Sequence, residues 1–295
     1  MKKKIILSVI CFVFVASIVS YIFYVSSAFP MVKGTIKVDF DNQNLSIMTF
    51  NVRCIASSDK DECTWKNREP LICDCLQEYT PSIICLQENK KSQYAYFKRY
   101  LKGYGSVATC RDKTDNTECL PIFFRTDLYT LEQTQTFWLS DTPDVMSNTW
   151  DSAYNRICTF VILKQKQSGK KFLVANTHLD YKSQDTQEKS INLISERLSI
   201  FDLPIVVMGD FNCTPDSKAI KLAKQKFVDV GEGFADQDKG TVNYFKDNYP
   251  NKKIDFMMQT KDSFQVTKYN VLDKKYSGNY TSDHFPIYAE LSLKG

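Results

Sequence analysis

A chain of 295 residues with 43% apolar and 24% charged side chains accommodates one large domain or two small ones, and excludes disorder, collagen and coiled coil. The net charge of +4 owes three charges to Lys2, Lys3 and Lys4, so the remainder is near neutral and charge alone gives no ground for nucleic-acid binding. With His178 and His284 as the only histidines, a zinc site built on several His is excluded.

Residues 5–32 carry no charge, and Ile5 to Val25 is almost wholly apolar. At 1.5 Å per residue that run spans about 31 Å, enough to cross a bilayer core. The preceding lysines predict a cytoplasmic N-terminus and an exported remainder. Ser26 and Ala28 also fit a cleavage site before Phe29. Residues 1–28 therefore read as a signal anchor or signal peptide, the length of the run favouring the anchor. The protein is expected at the membrane with its domain extracytoplasmic, or secreted. Residues 29–44 read as a polar linker, and 45–295 as the globular domain.

Within that domain, Leu45–Phe50 alternates and is rich in β-formers, which predicts a strand. Asn67–Tyr79 predicts a helix with Leu71, Ile72, Cys75 and Leu76 on one face. Ser82–Leu86 is a buried strand, and Gln93–Leu101 a short helix. Leu120–Phe124, Ile157–Leu163 and Phe172–Thr177 are strands, the last two joined across a Gln-Ser-Gly turn. Thr186–Ile200 is a helix, Pro204–Met208 a buried strand, and Asp216 to Lys224 helical. Ile254–Met258 and Ile287–Leu293 are late strands. This alternation predicts a layered α/β domain. The segments 139–155 and 229–250 are long polar loops, where function tends to sit. Ten Cys are many for this length. Cys54 and Cys63 bracket one polar loop and Cys110 and Cys119 another at the same spacing; each pair could form a disulfide in an exported domain. Cys73, Cys75, Cys85 and Cys158 fall in apolar patterns and read as core.

Polar residues recur where apolar strands end. Asn51 follows one strand, Gln87 and Glu88 end the next, and His178 and Asp180 end another. Gly209-Asp210-Phe211-Asn212 ends a fourth. Asp255 lies in a short apolar run, and Asp283-His284 precedes the last strand. A single carboxylate in such a place is usually a turn or cap residue. Here both histidines of the chain occupy such places, each near an Asp. Carboxylate and amide oxygens suit Mg²⁺, with Mn²⁺ as the alternative. Mg²⁺ with few protein ligands commonly works on phosphate esters, and His or Asp can deprotonate water.

The ordered motifs Thr-Phe-Asn51, Leu-Gln-Glu88, Asn-Thr-His178-Leu-Asp180, Gly-Asp210-Phe-Asn212, Ile-Asp255 and Ser-Asp283-His284-Phe-Pro resemble the endonuclease/exonuclease/phosphatase superfamily over about residues 45–293. Thr-Phe-Trp138-Leu-Ser-Asp, Trp150-Asp and Arg156-Ile-Cys-Thr resemble a bacterial-type branch grouped with the carbon catabolite repressor and nocturnin deadenylases. Lys-Lys-Ile-Asp255-Phe differs from the Trp-Cys-Asp-Arg element of inositol-phosphate 5-phosphatases. Asn155 stands where the branch often has Pro, and Cys213 follows Asn212.

The resemblance implies a four-layer sandwich of two packed mixed β-sheets flanked by helices, with a Mg²⁺ site at one edge. It makes 45–295 a catalytic domain. Glu88 would be the principal metal ligand with Asn51 beside it, and Asp283 a ligand to a second metal. Asp210 would orient or deprotonate water, and Asn212 would hold that water or a phosphoryl oxygen. His284, paired with Asp255, would sit against the scissile phosphate. His178 would donate to a phosphoryl oxygen or the leaving group, and Arg156 would contact phosphate. The expected activity is that of a metal-dependent phosphodiesterase or nuclease on RNA or DNA. The alternatives are a sphingomyelinase-like enzyme on a lipid head group, with Phe234, Tyr244, Phe245 and Tyr249 touching lipid, a small phosphate-ester phosphatase, or a non-catalytic binding module. No obligate protein partner is implied.

Overall fold

The computed structural model describes residues 34–39 and 44–294; the apolar run and the cleavage site read within residues 1–28 lie outside them. Among the described residues no helix is long and apolar enough to cross a membrane. The first half of the domain runs β1 (Leu45–Asn51), α1 (Trp65–Tyr79), β2 (Ile83–Gln87), β3 (Asn89–Lys90), α2 (Lys91–Tyr100), β4 (Tyr104–Cys110), β5 (Glu118–Arg125) and β6 (Tyr129–Trp138). The second half runs β7 (Ile157–Gln165), β8 (Lys171–His178), α3 (Gln184–Ser199), β9 (Ile205–Asp210), α4 (Lys218–Lys226), β10 (Phe227–Asp229), β11 (Asp255–Thr260), β12 (Phe264–Val271) and β13 (Ile287–Leu293).

The strands form two sheets. One has the order β12-β13-β1-β2-β5-β3, with β4 also on β5; the other has the order β10-β11-β9-β8-β7-β6. Each mixes one parallel pair, β1 with β2 and β8 with β9, into antiparallel neighbours. Inner faces meet through Ile47, Cys85 and Ile122 from one sheet and Val174, Met208 and Met257 from the other. Leu71, Ile72, Cys75 and Leu76 of α1 cover Met48, Phe50, Ile84 and Leu86 on the first sheet's outer face. Ile191, Ile194 and Leu198 of α3, with Ile220 of α4, cover Leu173, Ala175 and Val207 on the second. The result is the expected four-layer sandwich. Every residue of β1 is buried because both faces of its sheet are covered. Ile36, inside the segment read as a linker, is buried in the same α1-side cluster, and its N–H donates to Tyr100 O at 3.0 Å.

Cys110 and Cys119 are directly opposed on β4 and β5 and form a disulfide. The second disulfide read from the sequence, Cys54–Cys63, is not formed; both are free thiols. The two cysteines are held by different groups. Cys54 N–H donates to Glu88 Oε2 at 3.1 Å, whereas Cys63 O accepts Arg68 Nε at 2.7 Å. An ion pair from Arg53 to Asp59 at 2.9 Å ties the intervening loop instead. Cys73, Cys75, Cys85 and Cys158 are buried, as read. Replacing Cys110 and Cys119 with Ser should lower unfolding free energy by about 2–3 kcal/mol, the loop-closure value for so short a loop, measured by urea titration.

Candidate active site

Two parallel pairs bring the chemistry to one edge. In the first sheet Asn51 is opposite Gln87, and in the second His178 is opposite Asp210. Asp255, the first residue of β11, is also opposite Asp210. Beneath the edge the sheets are joined by Gln87 Nε2 donating to Asn176 Oδ1 at 2.8 Å. The segment before β13 enters through a bridge between Val242 and His284. Gly209 makes the β8–β9 approach feasible. Its φ is +148°, and a Cβ there would lie 1.8 Å from Thr177 O. Gly209→Ala should therefore cost about 3 kcal/mol or more, or prevent folding, read as loss of a cooperative melt.

Asp210 is the hub. Its Oδ1 accepts the Asn212 N–H at 2.9 Å, and its Oδ2 accepts Asn51 Nδ2 at 3.0 Å. The same Oδ2 lies 3.4 Å from His178 Nε2 and 4.0 Å from His284 Nε2. His284 Nδ1 is bonded to Asp255 Oδ2 at 2.9 Å. Asn51 Nδ2 also reaches Glu88 Oε1 at 3.2 Å, while its Oδ1 accepts the Arg53 N–H at 3.0 Å. Glu88 and Asn212 take left-handed backbone, φ 53° and 51°. For Glu88 this is an unfavourable conformation, of the kind that collects at functional sites. Asp283 accepts Ser282 Oγ at 3.2 Å and lies 3.3 Å from Arg53. Asn212 Nδ2 donates to Leu179 O at 3.0 Å. Arg156 is 4% exposed, and its Nε lies 3.5 Å from Asp180, which itself accepts the N–H groups of Ala153 and Lys182. Asp180 thus pairs with Arg156 by charge, without a hydrogen bond to its Nε.

Burial and the neighbouring Asp255 push the Asp210 carboxyl up to about 7. Burial opposes charge on His284, but Asp255, Asp210 and Asp283 outweigh it and hold the imidazole protonated well above its ordinary value. His178 is driven the other way by burial and by the Arg156 and Arg111 guanidiniums, so it is neutral. Burial raises Glu88, yet His284, the Cys54 N–H and Asn51 lower it further, and it stays ionised. Asp283 is raised by burial. Asp210, Asp255 and His284 are close enough to share one ion. Glu88, Asp210, Asp255 and Asp283 bring carboxylate oxygens to this edge, the ligand chemistry that a hard divalent cation takes.

All the predicted site residues therefore lie at or beside this edge. The sequence reading missed Arg111 and Glu118, which line a pocket with Arg156 and His178. Their only signal was position, one just inside each cysteine of the 110–119 loop. The candidate lipid-facing aromatics are mostly packed: Phe234 on Tyr269, Tyr249 on Phe285, and Phe245 under Arg68. Tyr244 is exposed.

The model of the Endonuclease/Exonuclease/phosphatase family matches residues 48–284. Among solved structures, a mannosyl-6-phosphatase of Bacteroides thetaiotaomicron is 30% identical, with 84% of this chain and 100% of that chain covered and a TM-score of 0.79. Among curated proteins, Protein angel of Drosophila melanogaster is 30% identical over 57% of this chain and 49% of its own length. The CCR4-Not complex 3'-5'-exoribonuclease subunit Ccr4 of Schizosaccharomyces pombe is 25% identical over 86% of this chain and 50% of its own. The chain thus spans about half the length of these two relatives.

Proposed function

The chain belongs to the endonuclease/exonuclease/phosphatase family, and from that premise we propose that it is a Mg²⁺- or Mn²⁺-dependent hydrolase of phosphate esters that uses activated water. The observation that carries the reading is the convergence of Asn51, His178 and His284 on one oxygen of Asp210, beside an ionised Glu88. Glu88 and Asp283, with Asn51 beside them, would hold the cation. When bound, it supplies positive charge against the phosphoryl oxygens and the attacking water.

The chain's own groups do the rest. Asp210, oriented by the Asn212 N–H, takes a proton from water as the water oxygen bonds to phosphorus and the ester P–O bond breaks. Protonated His284, held by Asp255, and the Arg156 guanidinium meet charge developing on the phosphoryl group. Neutral His178 offers its N–H to a phosphoryl or leaving oxygen.

A nucleic-acid phosphodiester is the first substrate class, supported by the Ccr4 likeness. A small phosphomonoester is the second, favoured by likeness to the mannosyl-6-phosphatase over the whole of that chain. The lipid reading loses its support where the loop aromatics pack inward. The Cys110–Cys119 disulfide supports an extracytoplasmic domain, tethered or released as the 1–28 segment directs. The test incubates the purified protein and Mg²⁺ with end-labelled single-stranded RNA and DNA, and in parallel with hexose phosphates. Cleavage of an oligonucleotide supports the first class, and release of phosphate from hexose phosphates alone supports the second. No hydrolysis of any phosphate ester by the folded protein would defeat the proposal.

A further inference from the structure

Arg68, in the first turn of α1, has no exposed surface. Its guanidinium lies against the rings of Trp65 and Phe245, 5.8 and 5.6 Å from their centres. Its donors reach four main-chain carbonyls on three segments of chain. Nη1 donates to Val52 O at 2.7 Å and to Thr281 O at 3.2 Å, Nη2 to Arg53 O at 3.1 Å, and Nε to Cys63 O at 2.7 Å. None of these bonds goes to a carboxylate.

Stability is a poor account of this arrangement. Burial works against the charge. A cation in the first turn of a helix also faces the positive end of the helix dipole. Buried ionic groups can often be replaced by apolar side chains of similar volume without loss of stability. What the guanidinium does is fix geometry. Val52 and Arg53 directly follow Asn51, and Thr281 precedes Asp283 by two residues. One planar fork therefore ties the end of β1 to the segment before β13, the two pieces of chain that carry Asn51 and Asp283. Other bonds support the same junction. Ser282 Oγ donates to Asn51 O at 2.7 Å, and the Asn243 and Tyr244 N–H groups donate to Asp283 O at 2.8 and 3.1 Å. Arg53 takes left-handed backbone, φ 55°, and its carbonyl accepts Gln93 Nε2 at 3.0 Å as well as Arg68.

We propose that Arg68 is a positioning residue for the cation: it holds Asn51 and Asp283 in place before the ion binds, so that the ion enters a site already built. The inference rests on the phosphoesterase reading and adds to it a residue that reaches the reaction only through Asn51 and Asp283. Lysine cannot do the same, because one ammonium lacks the planar fork that spans these carbonyls.

The test measures Mn²⁺ binding directly, from the electron paramagnetic resonance of free Mn²⁺ in titrations of the purified protein. Replacing groups that orient metal ligands typically costs about 10- to 100-fold in metal affinity, so Arg68→Lys and Arg68→Met should each weaken Mn²⁺ binding by about tenfold or more. Both are checked for a cooperative melt. Leu76→Ala loosens the same helix by loss of core packing alone and should bind Mn²⁺ as the parent does. With bis(p-nitrophenyl) phosphate, the Arg68 variants should need more Mn²⁺ for half-maximal rate, while KM for the ester at saturating Mn²⁺ stays within about threefold of the parent's. Parent-like Mn²⁺ affinity in either Arg68 variant, or an equal loss in Leu76→Ala, would overturn the proposal. If the Arg68 variants do not fold, hydrogen exchange of the parent decides. Peptides spanning residues 50–54 and 281–285 should exchange at rates within about threefold in EDTA and in Mn²⁺. Segments that exchange freely in EDTA and become protected only with Mn²⁺ would overturn it. A parent that binds no Mn²⁺ defeats the metal-dependent phosphoesterase reading and this inference with it; a parent that binds it no better than the Arg68 variants defeats this inference alone.

Discussion

Asp210→Asn should lower kcat/KM by about 10²- to 10⁴-fold, the range for removal of a general base. Asn matches Asp in shape and keeps an oxygen for the Asn212 N–H, but it lacks the basic carboxylate and turns an amide nitrogen toward Asn51 Nδ2, whose bond is lost. Asp210 is held up to about 7 by burial and by Asp255, so it is a far stronger base than an exposed carboxylate. The parent's kcat/KM should rise as pH approaches that region and level off above it, because the base acts when deprotonated. The variant's residual rate should lack that acid limb. Stability should move oppositely to activity. A carboxyl whose folded-state pKa lies above its unfolded value destabilises the fold as pH rises between the two values. In EDTA at pH 8 relief of the buried charge should offset the lost Asn51 bond, and the variant should melt close to the parent. A large drop in melting temperature would reassign Asp210 to a structural role.

Glu88→Gln should cost about 10³-fold or more in kcat/KM, about 4 kcal/mol of transition-state stabilisation. The change keeps the acceptor near the Cys54 N–H and removes the charge. Glu88 is ionised in spite of burial, and its backbone is held at φ 53°. That combination has a clear use if the carboxylate meets a cation. The variant should also need a higher Mg²⁺ concentration for half-maximal activity, read from a titration of rate against metal. An unchanged Mg²⁺ requirement would remove Glu88 from the metal site.

The interior strands were legible because both their faces are covered. β2, β8 and β9 carry nearly continuous apolar runs, β1 and β13 mix apolar with polar residues, and the structure places all five close to where the sequence does. β4, β6 and β12 escaped notice. β6 carries Leu-Glu-Gln-Thr-Gln-Thr and is mostly exposed at a sheet edge, and β12, another edge strand, alternates buried Phe264 and Tyr269 with exposed polar residues. Edge strands owe their pairing to the neighbouring backbone, which leaves little hydrophobic pattern to read. The carboxylate and histidine part of the site was legible because each residue directly follows or precedes a buried strand. Arg111 and Glu118 were not. Each looks like a solvated charge in a polar loop, and only the β4–β5 pairing with its disulfide brings them together. Equal spacing of the two cysteine pairs also misled, since spacing does not distinguish paired strands from a loop that wraps the site.

The most direct measurement is hydrolysis of bis(p-nitrophenyl) phosphate, p-nitrophenyl phosphate and single-stranded RNA by the purified protein, first in EDTA and then with Mg²⁺ restored in excess. The account predicts no turnover in EDTA, recovery with Mg²⁺, and little recovery in Glu88→Gln. Turnover that continues unchanged in EDTA, or a folded protein that hydrolyses none of the three with Mg²⁺ present, would contradict it.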